Sequence, residues 1–401
     1  MKKCVITGAV RTAVGGYLGS LKSVEAQDLG AAVIKEAINR SAITEQDVEQ
    51  VVFGDVYGYT PNVSRCASLL AGIPEAVPAY TVDRQCASSL QAVVSAAQEI
   101  MSDEADIIVA GGVEVMSRLT YYLDPSSRAE PFRLGDKPLY DTFTHGVTIV
   151  QPKALYPGVN MGITAENVAE RYQITREEQD AFALDSQNKM KVAMANGVFK
   201  DEIVPFEVKL KKTSFIFDAD EHPRPETTME SLGKLKPVFK KDGSVTAGNA
   251  SGMNDGASAV VVMSEDKAQA LEIEPLVKII SFSSAGVDPS VMGLGPVPAI
   301  RKALKKAGLS LEDMDLIELN EAFAAQSLGC LKELGMDVGS EMYKRVNVNG
   351  GAIAHGHALA NSGTRLLTTL IYELKRRNGK YGLVSLCIGG GQGMALIVEN
   401  C

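Results

Sequence analysis

Unbroken apolar runs alternate with stretches of helical period along most of this chain. Ala259-Val260-Val261-Val262-Met263 is uninterrupted by any polar residue, the pattern of a strand covered on both faces. Ala26–Arg40, Ser88–Ile100 and Pro298–Ala307 read as helices between such strands. In the second of these, Leu90, Val93, Val94, Ala97 and Ile100 share one face. This alternation predicts α/β architecture. From 118 to 245 the pattern changes, with Pro125, Pro131, Pro138, Pro152, Pro157, Pro205, Pro223, Pro225 and Pro237 breaking it up. Thr175-Arg176-Glu177-Glu178 still has the form of a capping box, and Gly197 is placed to end the helix it opens.

The pattern also repeats. Ala37 to Asp55 (AINRSAITEQDVEQVVFGD) and Ala303 to Glu321 (ALKKAGLSLEDMDLIELNE) align without a gap, each a helix end, a polar turn and a short buried strand. Asp106-Ile107-Ile108-Val109-Ala110-Gly111-Gly112 has a counterpart in Leu383-Val384-Ser385-Leu386-Cys387-Ile388-Gly389-Gly390, each an apolar strand that runs into glycines. The expected organisation is therefore two duplicated halves, 1–117 plus 246–272 and 273–401, around an inserted loop domain at 118–245 that is a natural place for substrate binding.

Composition narrows the function. A length of 401 residues with 45% hydrophobic and 22% charged residues is ordinary for a globular protein. No apolar run reaches the roughly 18 residues of a membrane span. The start, Met1-Lys2-Lys3-Cys4-Val5-Ile6-Thr7-Gly8, goes straight into a strand-like run, so a cytoplasmic location is expected. A net charge of −9 argues against broad nucleic-acid binding. The six cysteines are scattered without a CxxC pair, which reads as reduced thiols rather than a disulfide framework.

Two of those cysteines stand at chemically informative places. Cys86, in Asp83-Arg84-Gln85-Cys86-Ala87-Ser88-Ser89-Leu90, precedes a helix. Helix-terminal amides favour thiolate, the nucleophile of acyl transfer from a thioester; the plain alternative is a buried small hydrophobe. Cys387 ends a strand and enters Gly389-Gly390-Gly391, which is either a tight turn or a loop whose N–H groups, Gly389's among them, can face an oxyanion. His357 follows Gly350-Gly351 with His355 nearby; a metal pair is conceivable, but no ligand set with metal spacing accompanies it. Asn320 ends Leu316-Ile317-Glu318-Leu319, where its amide is either a strand-end cap or the holder of a water or imidazole.

Taken together and in this order, these segments resemble the thiolase family, enzymes that make or cleave a carbon–carbon bond between acyl-CoA units. Arg11-Thr12, Gly111–Ser117, Met161–Asn167, Thr246–Gly252 and Met292–Pro296 extend the resemblance over nearly the whole chain. It implies a five-layer α-β-α-β-α fold and a homodimer or homotetramer. It also implies Cys86 as acyl acceptor, His357 as its activator and Cys387 as acid and base. One oxyanion hole would come from His357 and an Asn320-held water, the other from the amides of Cys86 and Gly389. Acyl-CoA and CoA are then substrates, no cofactor or metal is called for, and Arg224, Ser251, Asn160 and Met161 match substrate-contacting positions. The resemblance leaves open a ketoacyl synthase relative, which would use Cys-His-His, and a non-catalytic acyl-CoA binding protein on the same fold. Ser89, Asn160, Ala358, Ala360 and Ala13 depart from the family pattern; the first four fall in segments that line the family's active site, which points to an acyl group other than acetoacetyl.

Overall fold

The computed structural model describes residues 2–129 and 132–401; Met1 and Pro131, both counted above, lie outside the described residues. The first half runs β1 (Cys4–Thr12), α1 (Ala26–Arg40), β2 (Gln50–Gly54), α2 (Val63–Ala71), β3 (Ala79–Val82), α3 (Ser88–Met101) and β4 (Ile107–Val115). Two helices follow, α4 (Met161–Tyr172) and α5 (Arg176–Ala195). The remainder is β5 (Asn254–Ser264), β6 (Val277–Gly286), α6 (Pro296–Ala307), β7 (Leu316–Leu319), α7 (Ala324–Leu334), α8 (Ser362–Arg377), β8 (Tyr381–Ile388) and β9 (Gln392–Asn400).

The long strands form one mixed sheet in the order β7-β8-β9-β6-β1-β5-β4-β2-β3. Its two sides carry the same plan: β2 and β4 are parallel and β4 and β5 antiparallel, just as β7 and β8 are parallel and β8 and β9 antiparallel. They meet at β1 and β6 through only two paired positions, Val5↔Lys278 and Ile6↔Val277. Both internal sequence repeats therefore occupy equivalent places, the strand ends β2 and β7 and the strands β4 and β8.

Three apolar cores stack the layers. Helices α1 and α2 cover the outer face of the first half, α6 and α7 that of the second, and α3 and α8 lie between the two half-sheets. The central pair is buried because each helix has an apolar stripe at 3–4 spacing: Leu90, Val93, Ala97 and Ile100 on α3, and Leu366, Leu367, Leu370, Ile371 and Leu374 on α8. Each fully buried Leu or Ile is worth about 1.5–3 kcal/mol, so this seam is what holds the halves together. Strand β5 is buried over its whole length, as its apolar run requires.

The 118–245 stretch is not self-contained. The helix opened by the Thr175–Glu178 capping box is real and stops at Ala195 before Gly197 (φ 67°). Its Phe182 and Ala183, with Ala165, Val168 and Ala169 of α4, belong to the same core as α6 and α7. Sequence alone did not show this, because the contacts of α4 and α5 are set by a neighbour more than a hundred residues away. Among the described residues no helix is long and apolar enough to cross a membrane.

Candidate active site

Cys86 sits in a one-turn 3₁₀ segment, Gln85–Ala87, that leads into α3. Gln85 has φ 47°, a left-handed conformation that strains a non-glycine residue and presents the next side chain sharply. The turn is pinned by Ser88 Oγ, which accepts from the Arg84 amide (2.8 Å) and donates to the Gln85 carbonyl (2.7 Å). The amides of Gly389 and of Cys86 itself lie near the Cys86 sulfur and favour its ionised form. Gly390 and Gly391, at φ 83° and 84°, make the hairpin that brings Gly389 there; a Cβ on Gly391 would strike Pro289.

The charge state of Cys86 differs from the sequence expectation. Burial pushes the thiol up to about 11; the two amides pull it down, but Glu114 and Asp83 add to the rise. Partial charges at a helix start are worth up to about 2 kcal/mol, less than desolvating a full charge beside two carboxyls. At rest Cys86 is a thiol and needs a base.

His357, which lines the same cavity as Cys86, presents a basic nitrogen. Its amide donates to Asn254 Oδ1 (2.9 Å), at a turn where Gly356 has φ 96° and a Cβ would run into the Asn254 side chain. Its Nδ1 lies 2.6 Å from Ser362 Oγ. Ser362 spends its own proton on the Ala358 carbonyl (2.9 Å), so Oγ accepts and Nδ1 carries the hydrogen. That leaves Nε2 as a bare lone pair, buried and without a hydrogen-bond partner among the described residues. Burial, then the positive Arg365, hold the ring's pKa down to about 3, so it is neutral.

Cys387 is fully buried near the end of β8, two residues before the glycine whose amide lies near the Cys86 sulfur. Its thiol is pushed far up, first by burial and then by its neighbours Cys86 and Cys330. Asn320 follows β7 and donates its amide to Ser385 of β8 (2.9 Å). Its side-chain nitrogen and oxygen are both buried, and neither has a partner among the described residues. A strand-end cap would bond the backbone; two orphaned polar atoms instead mark a place for a water or a substrate oxygen.

Cys86, His357 and Gly389 converge on a cavity of about 410 Å³ whose wall also includes Asn160, Met161 and Ser251; Cys387 and Asn320 lie behind that wall rather than on it. Most of the rest is apolar: Met116, Phe143, Val147, Val150, Met253, Met292, Phe323 and Leu359. Asn160 also caps α4 through Oδ1 and the Ile163 amide (3.0 Å). Ser251 Oγ donates to the Ala322 carbonyl (3.2 Å). Arg224 is exposed, outside the cavity wall, with its guanidinium turned onto the carbonyls of Glu221, His222 and Pro223. His355 points elsewhere, edge-on to Phe199 with ring centroids 4.7 Å apart. Three of the four departures in active-site segments do not line the cavity. Ser89 is buried and accepts from the Thr364 amide (2.9 Å), capping the first turn of α8, and Ala358 and Ala360 are buried beside it. Only Asn160 faces the space. Tyr57, Asn254, Ser362 and most of the cavity's apolar wall were not picked out from sequence, though Met116, Met292 and Ser362 stood in segments of the resemblance.

Comparison with known proteins agrees with this geometry. The family described as "Thiolase, N-terminal domain" matches residues 4–266, and "Thiolase, C-terminal domain" matches 273–400. The chain belongs to the thiolase family. This thiolase is 51% identical to an acetyl-CoA acetyltransferase of Syntrophomonas wolfei, over 99% of each chain. It is 50% identical to that of Escherichia coli over the full length of both. Among solved structures, the Bacillus anthracis acetyl-CoA acetyltransferase superposes with a TM-score of 0.93 at 45% identity, covering 100% of this chain and 99% of that one. Human mitochondrial 3-ketoacyl-CoA thiolase gives 0.93 at 44%, with the same coverage. The chain is thus an acyl-CoA C-acyltransferase, joining acyl units carried on CoA or cleaving a 3-oxoacyl-CoA, and not a binding protein on a thiolase fold.

Proposed function

We propose that this thiolase transfers acetyl units, with Cys86 as the acyl carrier. In the condensing direction the Cys86 thiol gives its proton to His357 Nε2 as the sulfur attacks the thioester carbonyl. The carbon–sulfur bond to CoA then breaks, and the departing CoA thiolate takes the proton of Cys387. A buried, high-pKa thiol suits that first task, because it enters the cycle as an acid. The Cys387 thiolate left behind takes an α-proton from a second acetyl-CoA. The carbanion attacks the acetyl-Cys86 carbonyl, and the Cys86 sulfur leaves with the proton stored on His357. Every proton is back in place, and thiolysis is the same path reversed. In this reading the amides of Cys86 and Gly389 stabilise one oxyanion and protonated His357 Nε2, with an Asn320-bound water, the other.

The observation that carries the proposal is the bare Nε2 of His357, on a residue that lines the same cavity as Cys86 and Gly389. The acetyl assignment is supported by the relatives' names and by three of the four departures in active-site segments lying outside the cavity wall. CoA as the carrier is supported by a CoA complex of human mitochondrial 3-ketoacyl-CoA thiolase, 43% identical with a TM-score of 0.92. Two or four copies, in the cytoplasm, complete the proposal; the exposed Tyr121, Phe132, Leu134, Leu139 and Leu155 give a second copy something to cover. Mass spectrometry after incubation with acetyl-CoA should find the acetyl group on Cys86. Thiolysis of a 3-oxoacyl-CoA series should be most efficient with acetoacetyl-CoA. Acetyl on another residue refutes the first part, and a better six-carbon substrate the second.

A further inference from the structure

Glu114 is a fully buried carboxyl near the end of β4 that the reaction above does not use. Its Oε1 accepts from the Tyr57 amide (3.2 Å) and its Oε2 from the Ala360 amide (3.0 Å). The nearby Val56 amide also favours its ionised form. These partners belong to opposite walls of the site. Tyr57 lines the cavity in the first half and meets Phe143 edge-on at 6.0 Å. Ala360 sits in the turn that carries His357 and Leu359, both lining the cavity, and in which the Ala358 carbonyl takes the proton of the serine that orients His357.

We propose that Glu114 is a positioning residue for acyl transfer: its carboxyl clamps the Val56–Tyr57 loop to the Ala358–Asn361 turn and so fixes His357 Nε2 against the Cys86 sulfur. Two carboxylate oxygens can hold amides on both sides at once, whereas a carboxamide has one acceptor and would set an NH₂ against a backbone N–H. Glu114 has a close partner in Asp55, which accepts from the Gly58 amide (3.1 Å). Burial first and then the charge of Asp55 push Glu114 up to about 8; burial and then Asp83 push Asp55 up to about 6. The groups that face Cys86 are Glu114 from β4, Asp83 from the preceding loop, Tyr57, Cys387 from β8 and neutral His357. Above pH 8 an ionised Glu114 therefore opposes the Cys86 thiolate. The clamp holds the machinery together, and above about pH 8 its charge also favours the protonated nucleophile.

The inference rests on Cys86 and His357 being the acyl-transfer pair, and the test separates the two. In native enzyme, iodoacetamide labelling of Cys86 must abolish thiolysis; if activity survives, the pair itself is wrongly assigned. Given that result, Glu114→Gln is expected to lower kcat roughly 10- to 100-fold with KM changed less than about twofold, since misplacement by about 1 Å can cost 10²-fold. Its Cys86 labelling profile should shift to lower pH because one negative charge is gone. Glu114→Asp keeps the charge but cannot span both amides, so kcat should fall while the labelling profile stays native. Native kcat in Glu114→Gln, or loss of activity with KM rising in parallel and an unmoved labelling profile, overturns the clamp. Should neither variant fold, hydrogen exchange in native enzyme decides: clamped Tyr57 and Ala360 amides exchange as slowly as those of β4, and fast exchange at either overturns the proposal.

Discussion

Ser362→Ala removes the acceptor of His357 Nδ1–H and leaves the rest of the catalytic set in place. The bond is 2.6 Å long and fully buried, so no solvent stands ready to replace it. A buried donor left without its partner costs about 1–3 kcal/mol. The ring avoids that cost by moving its proton to Nε2, where it faces the cavity and blocks the lone pair that Cys86 needs. A bias of that size leaves roughly one molecule in 5 to one in 150 with a usable base, taking 1.4 kcal/mol as tenfold, so kcat/KM for thiolysis should fall by about that factor. Ser362→Thr keeps a hydroxyl at the same place and should recover most of the loss. Stability should change little, because the Ala358 carbonyl keeps the amides of Asn361 and Ser362 as donors. Steady-state thiolysis of acetoacetyl-CoA measures the rate, and ¹⁵N chemical shifts of His357 report the tautomer. An alanine variant with more than half the native kcat/KM, or a native spectrum with the proton already on Nε2, refutes the tautomer argument.

Other expectations follow from the same contacts. Asn320→Ala should cost about 10²–10³ in kcat without lowering the melting temperature, because the amide side chain has no partner among the described residues to lose; an active or strongly destabilised variant contradicts this. With the Cys86 thiol pushed up to about 11, iodoacetamide labelling of native enzyme should climb about tenfold per pH unit through neutrality and beyond pH 9; a plateau at pH 7 means the thiol is already ionised at rest. Arg11 is fully buried between Glu202 (2.6 Å) and Asp220 (2.7 Å), and Arg11→Met should destabilise by about 3–5 kcal/mol in chemical denaturation by leaving two buried carboxyls unpaired. Asp220 sits below its ordinary pKa in the folded state, mainly through Arg11 working against burial. Its contribution is present above its unfolded pKa near 3.9 and lost as pH falls through the lower folded value, so native enzyme should lose stability below about pH 4 and the Arg11 variant lose less.

The repeat was legible because duplicated α/β units keep their apolar periods even after their chemistry diverges; Gly54 and Asn320 lie at matching positions with nothing else in common. Residues in glycine-rich or strand-end motifs, such as Cys387 and Asn320, could be picked out because local sequence fixes both the backbone and the side chain's position. Glu114, Asn254 and Ser362 could not, since each acts by reaching a residue chosen by the fold: Ala360 lies 246 positions from Glu114, and His357 lies 103 from Asn254. The protonation of Cys86 was hidden for the same reason. A helix start can be read from the chain, but the burial of the sulfur and the approach of Glu114 and Asp83 need the folded molecule.

The seam between β1 and β6 has an evolutionary corollary. The nucleophile descends from one copy of the ancestral unit, whereas the imidazole, the carboxamide and the second thiol all descend from the other. At the places equivalent to Cys387 and Asn320 the first copy has Val113 and Gly54, so neither copy can stand in for its sibling. Duplication here gave specialisation instead of redundancy: once fused, the two copies became mutually dependent, and a lesion in either silences both.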